Sequence, residues 1–272
     1  MWPSDRVIAR PNRAGTLNPM FAELPVAPAP PPAVTGPQPI WRGLDALIGI
    51  GILIGSFALL IAVLVTLEVA TELGDTAADF ALAGLTIGFE VLFGVLVLWF
   101  AHRRRISLAS LGFRRPIRWG PLGIAVTGTY VTLFVYGGAI ELLKELGVDP
   151  GWFEGTNEIP IDPDQGAGTL VPLLVLFGMA VMIIAPLAEE VLFRGLIFRA
   201  LDGAWAGWAA IAVSGLAFGV FHTNLAVLIP FSLIGMIFAW TFRASGSLWV
   251  TIIAHFIINT LSFIVTVIGV LD

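Results

Sequence analysis

Long apolar runs, broken by short polar connections, dominate this chain. A helix crosses the ~30 Å hydrocarbon core of a bilayer in about 20 residues. Seven runs approach or exceed that length, near residues 44–70, 80–101, 119–143, 168–190, 205–223, 225–242 and 247–270. The alternating pattern of barrel strands is absent, and only helices and closed barrels satisfy their backbone in lipid. The pattern predicts an all-α polytopic membrane protein, a bundle of about seven transmembrane helices. Residues 191–204 read either as a continuation of the fourth helix or as an amphipathic connection.

Composition sharpens this picture. The 272 residues are 57% hydrophobic and only 12% charged, and the mean hydropathy is +0.93. With no cysteine, disulfides and thiolate metal sites are excluded. Ten of the 18 prolines fall in residues 1–40. That segment is expected to be a disordered or extended tail, leaving 41–272 as the helical transmembrane domain. It lacks the apolar core of a cleavable signal peptide, so the first span reads as an uncleaved targeting segment. No internal repeat of the transporter kind is evident.

Charge location sets an expected orientation. The connection 101–118 carries Arg103, Arg104, Arg105, Arg114, Arg115 and Arg118 and no acid. Basic loops stay in the cytoplasm, which puts the N-terminus inside too, with Arg6, Arg10, Arg13 and Arg42. The opposite connections are acidic: Glu72, Asp75 and Asp79 in one, Asp149, Glu154, Glu158, Asp162 and Asp164 in the other.

Against this apolar background the polar residues inside the spans need a reason, because a charge at membrane depth costs roughly 2.5–3.5 kcal/mol on insertion scales. Three groups stand out: Glu189-Glu190-x-x-x-Arg194, Phe218-x-x-x-His222 and His255-x-x-x-Asn259. Glu190 and Arg194 are four apart, share a helix face and can pair. Glu189 is turned about 100° away, so one carboxylate is locked and one is free. Pro186, a turn earlier, is expected to kink the helix and free the carbonyl of Met182. Singly, each polar residue reads as interhelical hydrogen bonding; together they favour one site. Straight helices would leave His222 near the outer end of its span, with Glu189 and His255 in the inner half. Convergence therefore calls either for a fifth helix that starts later, with 191–208 lying at the interface, or for broken and tilted helices, for which Pro186, Pro230 and the glycines at 195, 203, 207, 215 and 219 are candidates. Glu90, mid-span in the second helix, reads as a neutral carboxyl bonded to a neighbouring helix. Its other reading is a cavity-lining group. Trp119, Trp205, Trp208 and Trp249 fit an interfacial belt.

In order and internal spacing, these three motifs resemble the CAAX prenyl protease and bacteriocin-processing family, the CPBP or Abi family of intramembrane proteases. The resemblance covers roughly residues 168–265, the expected catalytic core. It implies an intramembrane endopeptidase acting on a membrane-associated peptide or protein. Glu189 and His222 would activate water, and His255 and Asn259 would support the oxyanion. Glu190, Arg194 and Phe218 would support the site. A zinc centre on Glu189, His222 and His255 is the competing reading, although the His-Glu-x-x-His motif is absent. A metal-free glutamate mechanism is favoured, since Asn259 suits an oxyanion donor better than a zinc ligand. Other classes remain: a proton- or ion-coupled transporter using Glu189, Glu90 and the histidines as a relay, or a catalytically silent scaffold or immunity protein. The expected setting is a bacterial cytoplasmic membrane, with the lipid bilayer as partner and no nucleic acid.

Overall fold

The computed structural model describes residues 40–70, 75–155 and 166–271. The proline-rich segment 1–39 lies outside these residues, as do Glu72, Glu158, Asp162 and Asp164 of the acidic connections. The described residues form helices and no strand. The helices are α1 (Asp45–Ala70), α2 (Asp75–Arg103), the one-turn α3 (Leu108–Leu111), α4 (Gly120–Glu145), α5 (Ala167–Asp202), α6 (Gly207–Phe221), α7 (Leu225–Ser245) and α8 (Leu248–Leu271). By length and composition α1, α2, α4, α5, α7 and α8 can each cross a membrane. This is a polytopic all-α membrane protein.

The fourth and fifth runs depart most from expectation. The fourth does not stop near residue 190: of the two readings of 191–204 the continuation holds, and α5 spans 36 residues in all, ending at Asp202. The fifth forms only a 15-residue helix, α6, about 22 Å long at 1.5 Å per residue and shorter than the hydrocarbon core. These two differences remove the depth conflict. Glu189 lies 13 residues before the end of α5, and His222 lies 15 residues after the start of α6. Both are thus about 20 Å along their helices from the α5–α6 connection. A turn of Thr223 and Asn224 then reverses the chain into α7. Thr223 takes a left-handed backbone (φ 50°), and the Asn224 side chain caps α7 by accepting from the Ala226 N–H at 2.9 Å.

α5 is not a uniform helix. It contains π-helical turns at Ala180–Ile184 and Val191–Phe198, flanking the α-helical Ala185–Glu190. The Ala185 N–H reaches back to the Ala180 carbonyl. In that register the next carbonyl, Val181's, would need an N–H from residue 186, and Pro186 has none. Pro186 therefore orphans Val181 rather than Met182, because the turn is π rather than α. Asn259 of α8 takes the place of the missing donor: its Nδ2 donates to the Val181 oxygen at 2.9 Å.

The glycines of α6 serve contact rather than bending. A Cβ on Gly215 would sit 2.6 Å from the Met236 nitrogen, and one on Gly235 would sit 2.9 Å from the Gly215 Cα. A Cβ on Gly219 would meet the Leu228 oxygen at 2.7 Å and the Ser232 nitrogen at 2.8 Å. Small residues four apart let the two backbones touch, as in other membrane helix pairs. Gly219→Ala is therefore expected to destabilise the protein by about 1–3 kcal/mol. Gly195→Ala should be nearly neutral, because its Cβ would meet Leu248 Cδ1 at an ordinary 3.7 Å. Thermal unfolding in detergent measures both, and equal effects would remove the backbone-contact explanation.

Polar contacts gather at one end of the bundle. Arg104 pairs with Asp45 at 2.9 Å, Arg114 donates to the Gly246 carbonyl at 2.7 Å, and Arg118 donates to the Ala244 carbonyl at 3.1 Å. Trp119, Trp205, Trp208 and Trp249 are exposed there on helix ends and loops. Trp41 is the exception: it is buried, stacks on Phe100 and donates Nε1–H to the Gly195 carbonyl at 2.8 Å. This arginine-rich end is expected to face the cytoplasm. A cysteine at exposed Ser107, unique in the chain, should resist membrane-impermeant thiol reagents added outside. Its ready labelling would invert the orientation.

Candidate active site

The site grows from α5. Glu190 and Arg194 are fully buried, and Arg194 Nη1 donates to Glu190 Oε1 at 2.8 Å. The second guanidinium nitrogen, Nη2, donates to the Gly235 carbonyl of α7 at 3.2 Å. Aromatic rings close around the charge: the guanidinium carbon lies 4.6 Å from the centre of the Phe218 ring, 5.1 Å from Phe238 and 5.9 Å from Phe193. Each face of a ring presents partial negative charge to the cation. The expected pair is thus present, and it fastens α5 to α7.

His255 of α8 reads both carboxylates. Its Nδ1 lies 3.1 Å from Glu190 Oε1, the oxygen that also accepts from Arg194. A carboxylate oxygen paired to an arginine only accepts, so Nδ1 carries the hydrogen. Nε2 of the same ring lies 4.0 Å from Glu189 Oε2. Glu189 is buried, and its Oε2 has no hydrogen-bond partner. This is the free carboxylate that helical geometry anticipates next to a locked one.

His222 closes the α6 end. Its Nδ1 lies 2.9 Å from the Phe218 carbonyl four residues back. A carbonyl cannot donate, so Nδ1 is again the protonated nitrogen and Nε2 remains as an acceptor. The ring is held edge-on by Phe218, Phe221 and Phe231 at centroid distances of 4.9, 5.3 and 4.5 Å. Phe218 thus stands between the guanidinium and both histidines, since it also meets His255 edge-on at 6.0 Å.

Glu189, His222, His255 and Asn259 line one cavity of about 170 Å³, together with Phe218 and Phe238. α4 contributes Thr129 and Leu133, and α8 adds Ser262. The buried Thr129 Oγ1 lacks a partner. No motif marked Thr129 or Ser262 in the sequence, because a hydroxyl in a membrane helix is ordinary. Glu90, read from sequence as bonded to a neighbouring helix, has an unpartnered Oε2. It shares a second cavity with Glu189. Asn259 has one amide hydrogen engaged by Val181, which leaves the other and Oδ1 for the cavity.

Two histidines with free Nε2 and a carboxylate are the donor types of a catalytic zinc site. Among the described residues, however, no three His, Cys, Asp or Glu side chains are grouped to hold a metal ion.

Comparison with known proteins agrees with this region of the chain. Residues 171–261 match the family model described as type II CAAX prenyl endopeptidase Rce1-like. The Bacillus subtilis (strain 168) protein named "Putative membrane peptidase YdiL" is 32% identical over 139 residues, covering 50% of this chain and 52% of that protein. The chain thus spans about half the length of that relative. An Escherichia coli protein, "Uncharacterized 24.3 kDa protein", is 27% identical over 180 residues, covering 64% of this chain and 76% of the other. No solved structure matches. The matched segment, about a third of the chain, contains all three polar motifs, and over it the chain is similar to the CAAX prenyl endopeptidase family.

Proposed function

We propose that this protein hydrolyses a peptide bond in a membrane-associated substrate. The observation that carries the proposal is one cavity lined by Glu189, His222, His255 and Asn259 together. The name of the Bacillus relative supports it as a peptidase relationship.

Amide hydrolysis needs an activated water, support for an oxyanion and a proton for the leaving amine. Glu189, with an unpartnered oxygen, accepts the proton of a water that the lone pair of His222 Nε2 helps to hold. The water oxygen bonds to the scissile carbonyl carbon, and the carbonyl electrons move onto its oxygen. The second amide hydrogen of Asn259 and Nε2–H of His255 face that oxyanion. For Nε2 to donate, His255 must carry both ring protons, with Glu190 Oε1 accepting from Nδ1. Collapse of the intermediate breaks the C–N bond, and Glu189 returns its proton to the amine nitrogen.

The test uses purified protein in liposomes with single-span reporter peptides and a prenylated peptide. Time-dependent cleavage that Glu189→Gln abolishes supports the reading. Ion or proton flux without cleavage overturns it in favour of transport. The metal-free form of the mechanism makes a further prediction: exhaustive chelation leaves the rate unchanged, and His255→Gln and Asn259→Ala each lose an oxyanion donor, roughly 2.7–4 kcal/mol. Rescue of a chelated, inactive enzyme by added zinc would replace that mechanism with metal activation of the water.

A further inference from the structure

Glu189 borders a second cavity, of about 240 Å³, on the α1–α2 side of α5. Glu90, Glu189, His222 and Asn259 line it, together with Phe57 and Phe221. Glu90 sits in the middle of α2 and is only 6% exposed, and its Oε2 finds no partner. Glu189 Oε2 is in the same condition, and both carboxyl groups line this one cavity. His255 Nε2 approaches Glu189 Oε2 only to 4.0 Å, beyond hydrogen-bond distance. Arg194, the buried cation nearby, is committed to Glu190. The Thr86 hydroxyl, also on this cavity, donates to its own helix at the Leu82 carbonyl. Two charged carboxylates lining one small cavity between helices would repel each other. One proton held between them removes a charge and gives each orphaned oxygen a hydrogen-bond role.

We propose that Glu90 is a positioning residue that carries a proton and donates it in a hydrogen bond toward Glu189, directly or through one water in this second cavity. The proposal rests on reading Glu189 as the base. Glu90 keeps its proton throughout: the proton that Glu189 takes from water leaves with the amine, so nothing is consumed on the Glu90 side. The bond holds the Glu189 side chain in one orientation while its charge changes on the other side, facing the first cavity.

Infrared difference spectroscopy on the purified full-length protein in lipid nanodiscs tests this without any substrate. At neutral pH the carbonyl stretch of a protonated carboxyl is expected in the wild type and in Glu189→Gln, and its loss is expected in Glu90→Gln. A Glu90→Gln spectrum that loses no such band overturns the proposal. In the cleavage assay, Glu90→Met should lower kcat roughly 10- to 100-fold with KM nearly unchanged, as for loss of a hydrogen bond to a charged group. Glu90→Gln, a neutral donor, should stay within about threefold of wild type. Full activity in the Met variant, or a Gln variant as impaired as Met, rules out the donor role. If the Met variant fails to fold, the Gln variant and the spectrum decide. A wild-type protein that shows the band but cleaves nothing retains the paired carboxyls and loses only the assignment as a peptidase.

Discussion

Glu189→Gln is expected to reduce peptide cleavage by roughly 10²- to 10⁴-fold or more, the usual contribution of a positioned base, and to leave the fold intact. Gln is nearly isosteric with Glu. Oε2 has no protein hydrogen-bond partner among the described residues, the Gln oxygen can still accept from a protonated Glu90, and the substitution removes a charge from a buried position. The thermal midpoint in detergent should therefore equal or exceed that of the wild type. Such a pattern, with activity gone and stability kept, separates Glu189 from a residue that merely holds helices together. A Gln variant that cleaves normally would remove Glu189 from the chemistry. One that unfolds would move it to the structural group.

Arg194→Ala is expected to do the reverse: to destabilise the protein by about 3–5 kcal/mol, as when one partner of a buried ion pair is removed. Three losses coincide at this residue. Glu190 Oε1 is left with His255 alone, the Gly235 carbonyl loses its donor, and a space opens among Phe193, Phe218 and Phe238. Lys cannot reproduce the forked geometry that reaches Glu190 and Gly235 at once, so Arg194→Lys should recover little. The double variant Glu190→Gln, Arg194→Met removes the stranded charge and should regain much of the stability lost in Arg194→Ala. Protease resistance and thermal unfolding measure the series. An Arg194→Ala protein as stable as the wild type would contradict the role given to the pair.

The four-residue spacings were legible because each lies within one helix. Glu190–Arg194 and the turn that separates Glu189 from them follow from 3.6 residues per turn, and the structure shows both. What crosses between helices was not legible. Nothing in the sequence sets Nδ1 of His255 against Glu190, because that contact depends on how deeply α8 is placed. The depth of His222 was misread because a 15-residue helix and a 20-residue span look alike in hydropathy. Pro186 was correctly marked as a source of an orphaned carbonyl, but on the wrong residue. Hydropathy carries no information on whether a turn closes at four residues or five, and the π register shifts the orphan from Met182 to Val181. For Glu90 the two readings, a bond to a neighbouring helix or a place on a cavity, could not be tied to a particular cavity, because Glu189, which lines it too, is 99 residues away in sequence.

The local nature of the Glu190–Arg194 bridge bears on how the chain is made. Synthesis delivers α5 before α6, α7 and α8, so its acids reach the bilayer before Gly235, His222 or His255 exist. A charge that needed those later helices would have to wait, uncompensated, at the insertion machinery. Because Arg194 is only one turn beyond Glu190, the two can neutralise each other as soon as that turn has formed. The nascent helix then presents a single unmatched acid, Glu189, to the lipid. An arginine moved to a later helix could complete the same finished site, yet it would leave α5 with two bare carboxylates during insertion, and misoriented or degraded protein would be the expected result.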